Sequence, residues 1–437
     1  MPLSQSEAPR PDVSPPAPPA PPAIRPRVLI VGTADTKSDE LLYLAGRVAL
    51  AGGIARTMDV GVLGTAPFAP DIPNHEVTAA ADTTLAALAA LGDENAAMAA
   101  MAAGAAAIVR REHAAGRLDG VLALGGTMGT DLSLEVCAAL PLGVPKVLVS
   151  TVSFSHLLPP ERIAPDLTMI GWPGGLYGLN ALCRATLSQA AGAVVGACLA
   201  VEPPSGRRPL VAISSLGKSC LSYMTVLKPA LEARGYEVAV FHCTGMGGRS
   251  MEALAADGRL AAVLDLCLQE LGNALAGSVV TAGDDRLTAA GRAGVPQIVA
   301  PGATDMIDLP SWKPLPAAYA ERAYHAHNRL IGSVGASAEE RRRVAREIGT
   351  RLAAATGPTA FVLPLRGIQQ WDRPGEPMHD PAGLAAFVEA ARDAVHAPVE
   401  HIELDAHIND PAFCDAVLAV FDRWVAAGRV APGRRED

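Results

Sequence analysis

Val121-Leu-Ala-Leu-Gly-Gly-Thr-Met-Gly-Thr130 runs from a short apolar strand into glycines and hydroxyls and then into a helical stretch. Strand, tight turn and helix in that order form the unit of a doubly wound α/β sheet, so this stretch predicts the fold class. It also predicts an anion cradle, because glycine lets backbone approach a ligand and a helix N-terminus offers unpaired N–H groups. The Walker A lysine is missing. The cradle would instead be built from Gly125, Gly126, Thr127, Gly129 and Thr130.

Moving outward, Pro141 to Thr151 predicts the next strand, finishing on Ser150 and Thr151. Parallel neighbours end at one sheet edge, so these hydroxyls are expected beside the cradle. Arg27 to Gly32 predicts the first strand, followed by the polar turn Thr33-Ala-Asp-Thr-Lys37 and a capped helix. Two threonines, an aspartate and one of only five lysines suffice to meet a phosphate and a metal ion together. They equally make an ordinary helix cap with a solvated lysine. Ile54 to Asp59 reads as a second strand, but no G-x-G-x-x-G follows the first, which disfavours a nicotinamide enzyme. The Pro-rich loop from Thr65 to Val77 is expected to be a lid or a dimer contact. Met98 and Met101, on an Ala-rich helix from Asn95 to Arg111, are expected in the core.

The breaker-rich stretch Glu202 to Pro209 predicts an interdomain linker. Strands are expected at Pro209 to Ser215, Tyr236 to His242, Ala261 to Leu268, Ser278 to Ala282 and Val295 to Ala300. Ala212 to Ser219 satisfies a relaxed P-loop pattern. Ala212 falls inside a strand, however, so a simpler phosphate contact by Gly217, Lys218 and Ser219 is preferred. A second Gly-rich turn follows at Thr244, Gly245, Gly247 and Gly248, with His242 read as a ligand contact and Cys243 as packing, since neighbours on a strand face opposite ways. His325 and His327 form one histidine cluster. The other, His401, Glu403, Asp405 and His407, alternates as a strand with one face in solvent; this reading is preferred to a metal site, as no helical ligand spacing supports one.

Composition bounds the rest. A chain of 437 residues, half of them apolar, predicts two domains. A net charge of −9 argues against a nucleic-acid binder. Seven cysteines without a C-x-x-C pair read as thiols in a reducing compartment. The Pro-rich start lacks the apolar region of a signal peptide, and the apolar run Ala190 to Val201 is too short to span a bilayer. A soluble, cytoplasmic protein with no membrane partner is expected.

The chain resembles the UPF0261 family, the Tm-1-like ATP-binding proteins. The resemblance rests on Gly32-Thr-Ala-Asp-Thr-Lys37, Asp59-Val-Gly-Val-Leu-Gly64, Gly125-Gly-Thr-Met-Gly-Thr130 and Gly178-Leu-Asn180. In the second half it rests on Thr244-Gly-Met-Gly-Gly248, Ala282-Gly-Asp-Asp-Arg-Leu287, Ala303-Thr-Asp-Met306 and His407-Ile-Asn-Asp-Pro411. It implies an α/β fold of two Rossmann-like doubly wound subdomains with mostly parallel sheets and a ligand cleft between them. The expected layout is a disordered tail at 1–25, subdomains at 26–201 and 210–428 joined by a linker at 202–209, and a tail at 429–437.

The resemblance further implies ATP with magnesium, phosphates held by Gly32 to Lys37 and Gly125 to Thr130, and Asp35 assisting the metal. Gly217 to Ser219, Thr244 to Gly248 and Arg286 would close over the nucleotide or a small acidic metabolite. A homodimer and a TIM-barrel partner protein are also implied. Departures from the family pattern cluster at Ser214 to Cys220, Cys243 and Leu266 to Gln269. Two rival readings stand beside this one: a hydrolase or lyase of a small carboxylate that does not use ATP, and a nucleotide-stabilised interaction module. No nucleophile–base pair appears at fixed spacing, so catalytic residues are not assigned.

Overall fold

A computed structural model describes residues 25–202 and 206–434; the tail before residue 25, linker residues 203–205 and residues 435–437 lie outside the described part. The chain forms two compact units. The first comprises Met1–Ser133, Pro145–Thr151 and Met169–Val201, and the second Leu134–Val144, Val152–Thr168 and Glu202–Asp437.

The first half of the chain contributes strands β1 (Arg27–Gly32), β2 (Ile54–Asp59), β3 (Gly120–Gly125), β4 (Lys146–Ser150) and β5 (Thr168–Gly171). Its helices are α1 (Ser38–Leu50), α2 (Asn74–Ala79), α3 (Leu85–Ala90), α4 (Glu94–Ala114), α5 (Thr127–Ala138) and α6 (Ala181–Ala200). The strands form one sheet in the order β2-β1-β3-β4-β5, with β1 to β4 mutually parallel. Full burial of β3 explains its uninterrupted apolar run. Helix α1 buries Glu40, Leu41, Leu44 and Val48, and α6 buries Cys183, Leu187, Ala190, Ala191, Val194 and Val195, each a stripe at three- and four-residue spacing that covers the sheet. At 20 residues α6 outruns the apolar run read from sequence and is long and apolar enough to cross a membrane, yet its buried stripe belongs to this core.

In this order β1 is flanked by β2 on one side and β3 on the other. The connections leaving the two central strands therefore diverge, and a crevice opens at their carboxyl ends.

The second half contributes β6 (Leu210–Ser215), β7 (Glu237–His242), β8 (Ala262–Cys267), β9 (Gln297–Gly302), β10 (Met306–Pro310), β11 (Tyr324–Ala326), β12 (Ile331–Gly335), β13 (Thr359–Pro364) and β14 (Glu400–Leu404). Helices α7 (Ser222–Ala233), α8 (Met246–Ala256), α9 (Gln269–Leu275), α10 (Ala289–Arg292), α11 (Ala338–Ala353), α12 (Pro381–Ala394) and α13 (Pro411–Ala426) pack around it. A six-stranded parallel sheet runs β14-β13-β9-β8-β6-β7, and β10, β12 and β11 form a small antiparallel sheet. Here the order reverses between β6 and β8, which makes a second crevice of the same kind.

Three expectations are corrected. Ser278 to Ala282 is bends and coil, held by hydrogen bonds such as Asn273 Nδ2 to Val280 O (2.9 Å). The loop expected from Thr65 to Val77 is shorter than read, because Ile72 bridges to Met58 and α2 starts at Asn74. The strand carrying His401 stops at Leu404, so His407 is buried at 1% exposure rather than aligned on a solvated face.

Candidate functional sites

After β1 the chain turns through Thr33 to Lys37, with Lys37 N donating to Thr33 O (2.8 Å) and the Thr33 and Thr36 hydroxyls paired at 2.9 Å. The buried Asp59 carboxylate, at the end of β2, accepts the N–H groups of Ala34 (2.9 Å) and Gly61 (2.8 Å). Burial pushes its pKa up, and the two N–H groups oppose that rise. Asp59 thus fastens the turn. One Asp35 oxygen accepts Leu63 N (3.1 Å), while the other is buried without a partner. The Lys37 ammonium lies 4.9 Å from the centroid of the Tyr177 ring.

After β3, glycine is required at position 125, where a Cβ would come within 2.4 Å of the Gly129 backbone. Position 126 is open, with Thr151 Oγ1 nearest at 3.9 Å. Helix α5 starts at Thr127, inside the glycine-rich turn itself, so Thr127 to Gly129 carry the N–H groups that lack intrahelical acceptors. The two turns converge on a pocket of about 400 Å³. Thr33, Asp35, Thr36, Lys37, Gly125 to Thr127 and Gly129 form its polar edge; Val60, Val62, Leu63, Met98 and Met128 form an apolar wall, with Glu94 beside it. Met98 is buried as expected, but it also lines the pocket. The motifs Asp59 to Gly64 and Gly125 to Thr130 contain most of the wall, but its role as a wall depends on the fold, which brings the segment after β2, Met98 of α4 and Met128 of α5 together.

Four predicted contacts lie outside this lining. Thr130 and Ser150 are fully buried and bond to each other at 2.7 Å, and Thr151 N donates to Gly125 O (3.2 Å), so these residues tie the loop to β4. Gly32 gives room for close packing, since a Cβ would sit 3.0 Å from both Leu124 and Leu41.

The second Gly-rich turn holds an anion that belongs to the protein. Glu270 Oε1 accepts Gly245 N (2.6 Å) and Gly248 N (3.2 Å) at the start of α8. A Cβ on Gly248 would overlap that carboxylate, and one on Gly247 would lie 1.9 Å from His242 O. Arg286 is likewise committed. It has no exposed surface and donates to Glu270 (2.8 Å), Asp265 Oδ1 (2.7 Å), Glu252 (3.2 Å) and Cys267 O (3.2 Å). Burial pushes Glu252 and Glu270 up in pKa, with Arg286 opposing it. Gly245, Gly247, Gly248 and Arg286 are therefore corrected from ligand contacts to internal structure. Cys243 is packing, as expected: it is buried and its thiol reaches Cys267 O (3.2 Å).

Gly217, Ser219, His242 and Thr244 do reach a pocket, of about 100 Å³, whereas Lys218 is exposed and outside its lining. Burial lowers the His242 pKa, and His327 adds to the effect. The remaining lining includes Gln269, Asp308, His327, Asn328, Ser333 and Trp371, which come from the start of α9, from the small sheet with its β11–β12 turn, and from the loop after β13. Sequence reading missed these as a group; His327 was flagged only as part of a histidine cluster. Among the described residues no three His, Cys, Asp or Glu side chains converge as a metal site.

A two-unit α/β protein with strand-end turns opening onto a pocket at each reversal of strand order is the class defined by fold and site. The chain belongs to the UPF0261 family. Residues 26–203 match the model described as Uncharacterised protein family (UPF0261) N-terminal domain, and residues 208–425 match its C-terminal domain. It is 56% identical over 408 residues to a UPF0261 protein of Brucella melitensis, covering 93% of this chain and 98% of that one. A UPF0261 protein of Clostridium tetani is 33% identical, covering 90% and 97%. The ToMV resistance protein Tm-1 of Solanum lycopersicum is 26% identical over 421 residues, covering 91% of this chain and 55% of that protein. Among solved structures, a putative UDP-N-acetylglucosamine 2-epimerase from Listeria monocytogenes is 11% identical, covers 95% of this chain and 100% of its own, and has a TM-score of 0.21, which supports no functional inference.

Proposed function

We propose that the first unit binds ATP with magnesium, its phosphates held by the turns at Thr33 to Lys37 and Gly125 to Gly129. The observation that carries this reading is the convergence of two strand-to-helix turns at the reversal between β1 and β3, on a pocket with an apolar wall fit for a base. The unpartnered Asp35 oxygen supports a hard cation nearby. Magnesium uses one or two carboxylates and completes its shell with phosphate oxygens and water, so Asp35 would suffice on the protein side.

Calorimetry with ATP and magnesium tests the assignment. Thr127→Asp sets a carboxylate at the first turn of α5, which favours the helix but repels phosphate. Heat of binding by the parent and none by the folded variant is the expected result; equal affinities exclude the site. The cysteines stand as thiols, which supports the cytoplasm as the compartment. The family resemblance extends the reading to a homodimer and a TIM-barrel partner, testable by light scattering and co-purification.

A further inference from the structure

The pocket at the strand ends of the second unit carries an unmet requirement. Gln269 has no exposed surface, and its Nε2 donates to Asp308 Oδ1 (2.9 Å), which also accepts Ser333 Oγ (2.6 Å). Those bonds orient the amide, because turning it over would set two acceptors against each other. The Gln269 Oε1 that remains is buried, lacks a hydrogen-bond partner, and belongs to a side chain lining the pocket. A buried amide oxygen in that state calls for a donor from a ligand.

The lining narrows the choice of ligand. It contains one carboxylate and two imidazoles but no lysine or arginine, so a carboxylate or phosphate ligand would meet no permanent cation. An ammonium ligand would satisfy Asp308 and Gln269 but has no acceptor to offer the donors of Ser219, Asn328 and His327, while Thr244 Oγ1 and His242 Nδ1 already pair with each other at 3.2 Å. A hydroxyl group both donates and accepts. One wall is the Trp371 indole, backed by the His325 ring at 4.1 Å between centroids, and Leu216, Met306 and Ile331 complete an apolar surface suited to C–H faces. At about 100 Å³ the space admits only a small molecule.

We propose that this pocket, at the reversal between β6 and β8, is a binding site for a small uncharged polyhydroxy compound such as a short polyol or free pentose. Gln269 and Asp308 accept from its hydroxyls, His242, His327, Ser219 and Thr244 exchange hydrogen bonds with the rest, and Trp371 covers its C–H face. The proposal is independent of nucleotide binding in the first unit.

Saturation-transfer NMR on the full chain without ATP, with erythritol and D-ribose as probes and ethanolamine and glycolate as charged controls, tests it. Transfer to the neutral probes and none to the controls is expected. Gln269→Leu should weaken binding at least tenfold. His327→Ala and Asn328→Ala, at exposed positions, should each weaken it severalfold and carry the test if Gln269→Leu does not fold. The proposal is overturned if neither neutral probe binds, if ethanolamine or glycolate binds in preference, or if the folded variants bind like the parent.

Discussion

Arg286 shows how a residue's chemistry and its role separate on folding. Its guanidinium is expected from sequence to close over a nucleotide or a small acidic metabolite, yet in the fold it sits among Asp265, Glu270 and Glu252 with no exposed surface. Removing the cation would strand buried carboxylates. Arg286→Met should therefore destabilise by roughly 3–5 kcal/mol, measured by denaturant unfolding, and Arg286→Lys should recover little because it lacks the planar fork. Asp372 makes a pH prediction. Burial raises its pKa to about 7, with nearby Asp305 adding to the rise. A carboxyl whose folded pKa is raised favours the fold below its unfolded value near 4 and loses that contribution as pH rises through about 7. Asp372→Asn should accordingly gain at least about 1 kcal/mol relative to the parent between pH 5 and pH 8, seen in pH-dependent melting. His407 acts in the opposite direction: burial lowers its pKa to about 4, so its contribution is lost as pH falls from about 6.5 through 4.

The turns, at the scale of the element, are governed by close approach. Gly125→Ala should cost about 1–3 kcal/mol and weaken ATP binding, because the added Cβ forces the Gly129 backbone away from the cradle. Gly61→Ala presses on Asp35 Oδ1, which a Cβ would approach to 2.7 Å; the expected outcome is reduced magnesium dependence of ATP binding in calorimetry, with the fold retained. Strand positions were legible because buried parallel strands need unbroken apolar runs, as at Val28 to Val31 in β1 and Val121 to Leu124 in β3. Ser278 to Ala282 has the composition of such a strand but pairs with none. Its backbone is held instead by Asn273 and by the Ser278 side chain, which donates to Asp308 O and accepts from Val280 N. No local pattern reports that competition.

At the scale of the whole molecule, ligand binding to the native state alone raises stability by mass action, about 2.7 kcal/mol at 100 times Kd. The melting temperature should rise with MgATP in the parent and stay constant in Thr127→Asp, read by calorimetric scanning. The sequence by itself determined the α/β class, the mostly parallel sheets and the polar turn and glycine cradle of the first pocket, because strand runs, glycines and caps are local and leave local marks. Only the tertiary structure decided which glycine turn is open. Thr244 to Gly248 resembles Gly125 to Thr130 in type, but Glu270, brought in on α9 from the end of β8 two strands away, fills the former, while the latter opens onto a pocket. The same holds for Gln269, Asp308, His327 and Trp371: their meeting depends on strand order and on the small antiparallel sheet, and long-range pairing is not written in the spacing of residues along the chain.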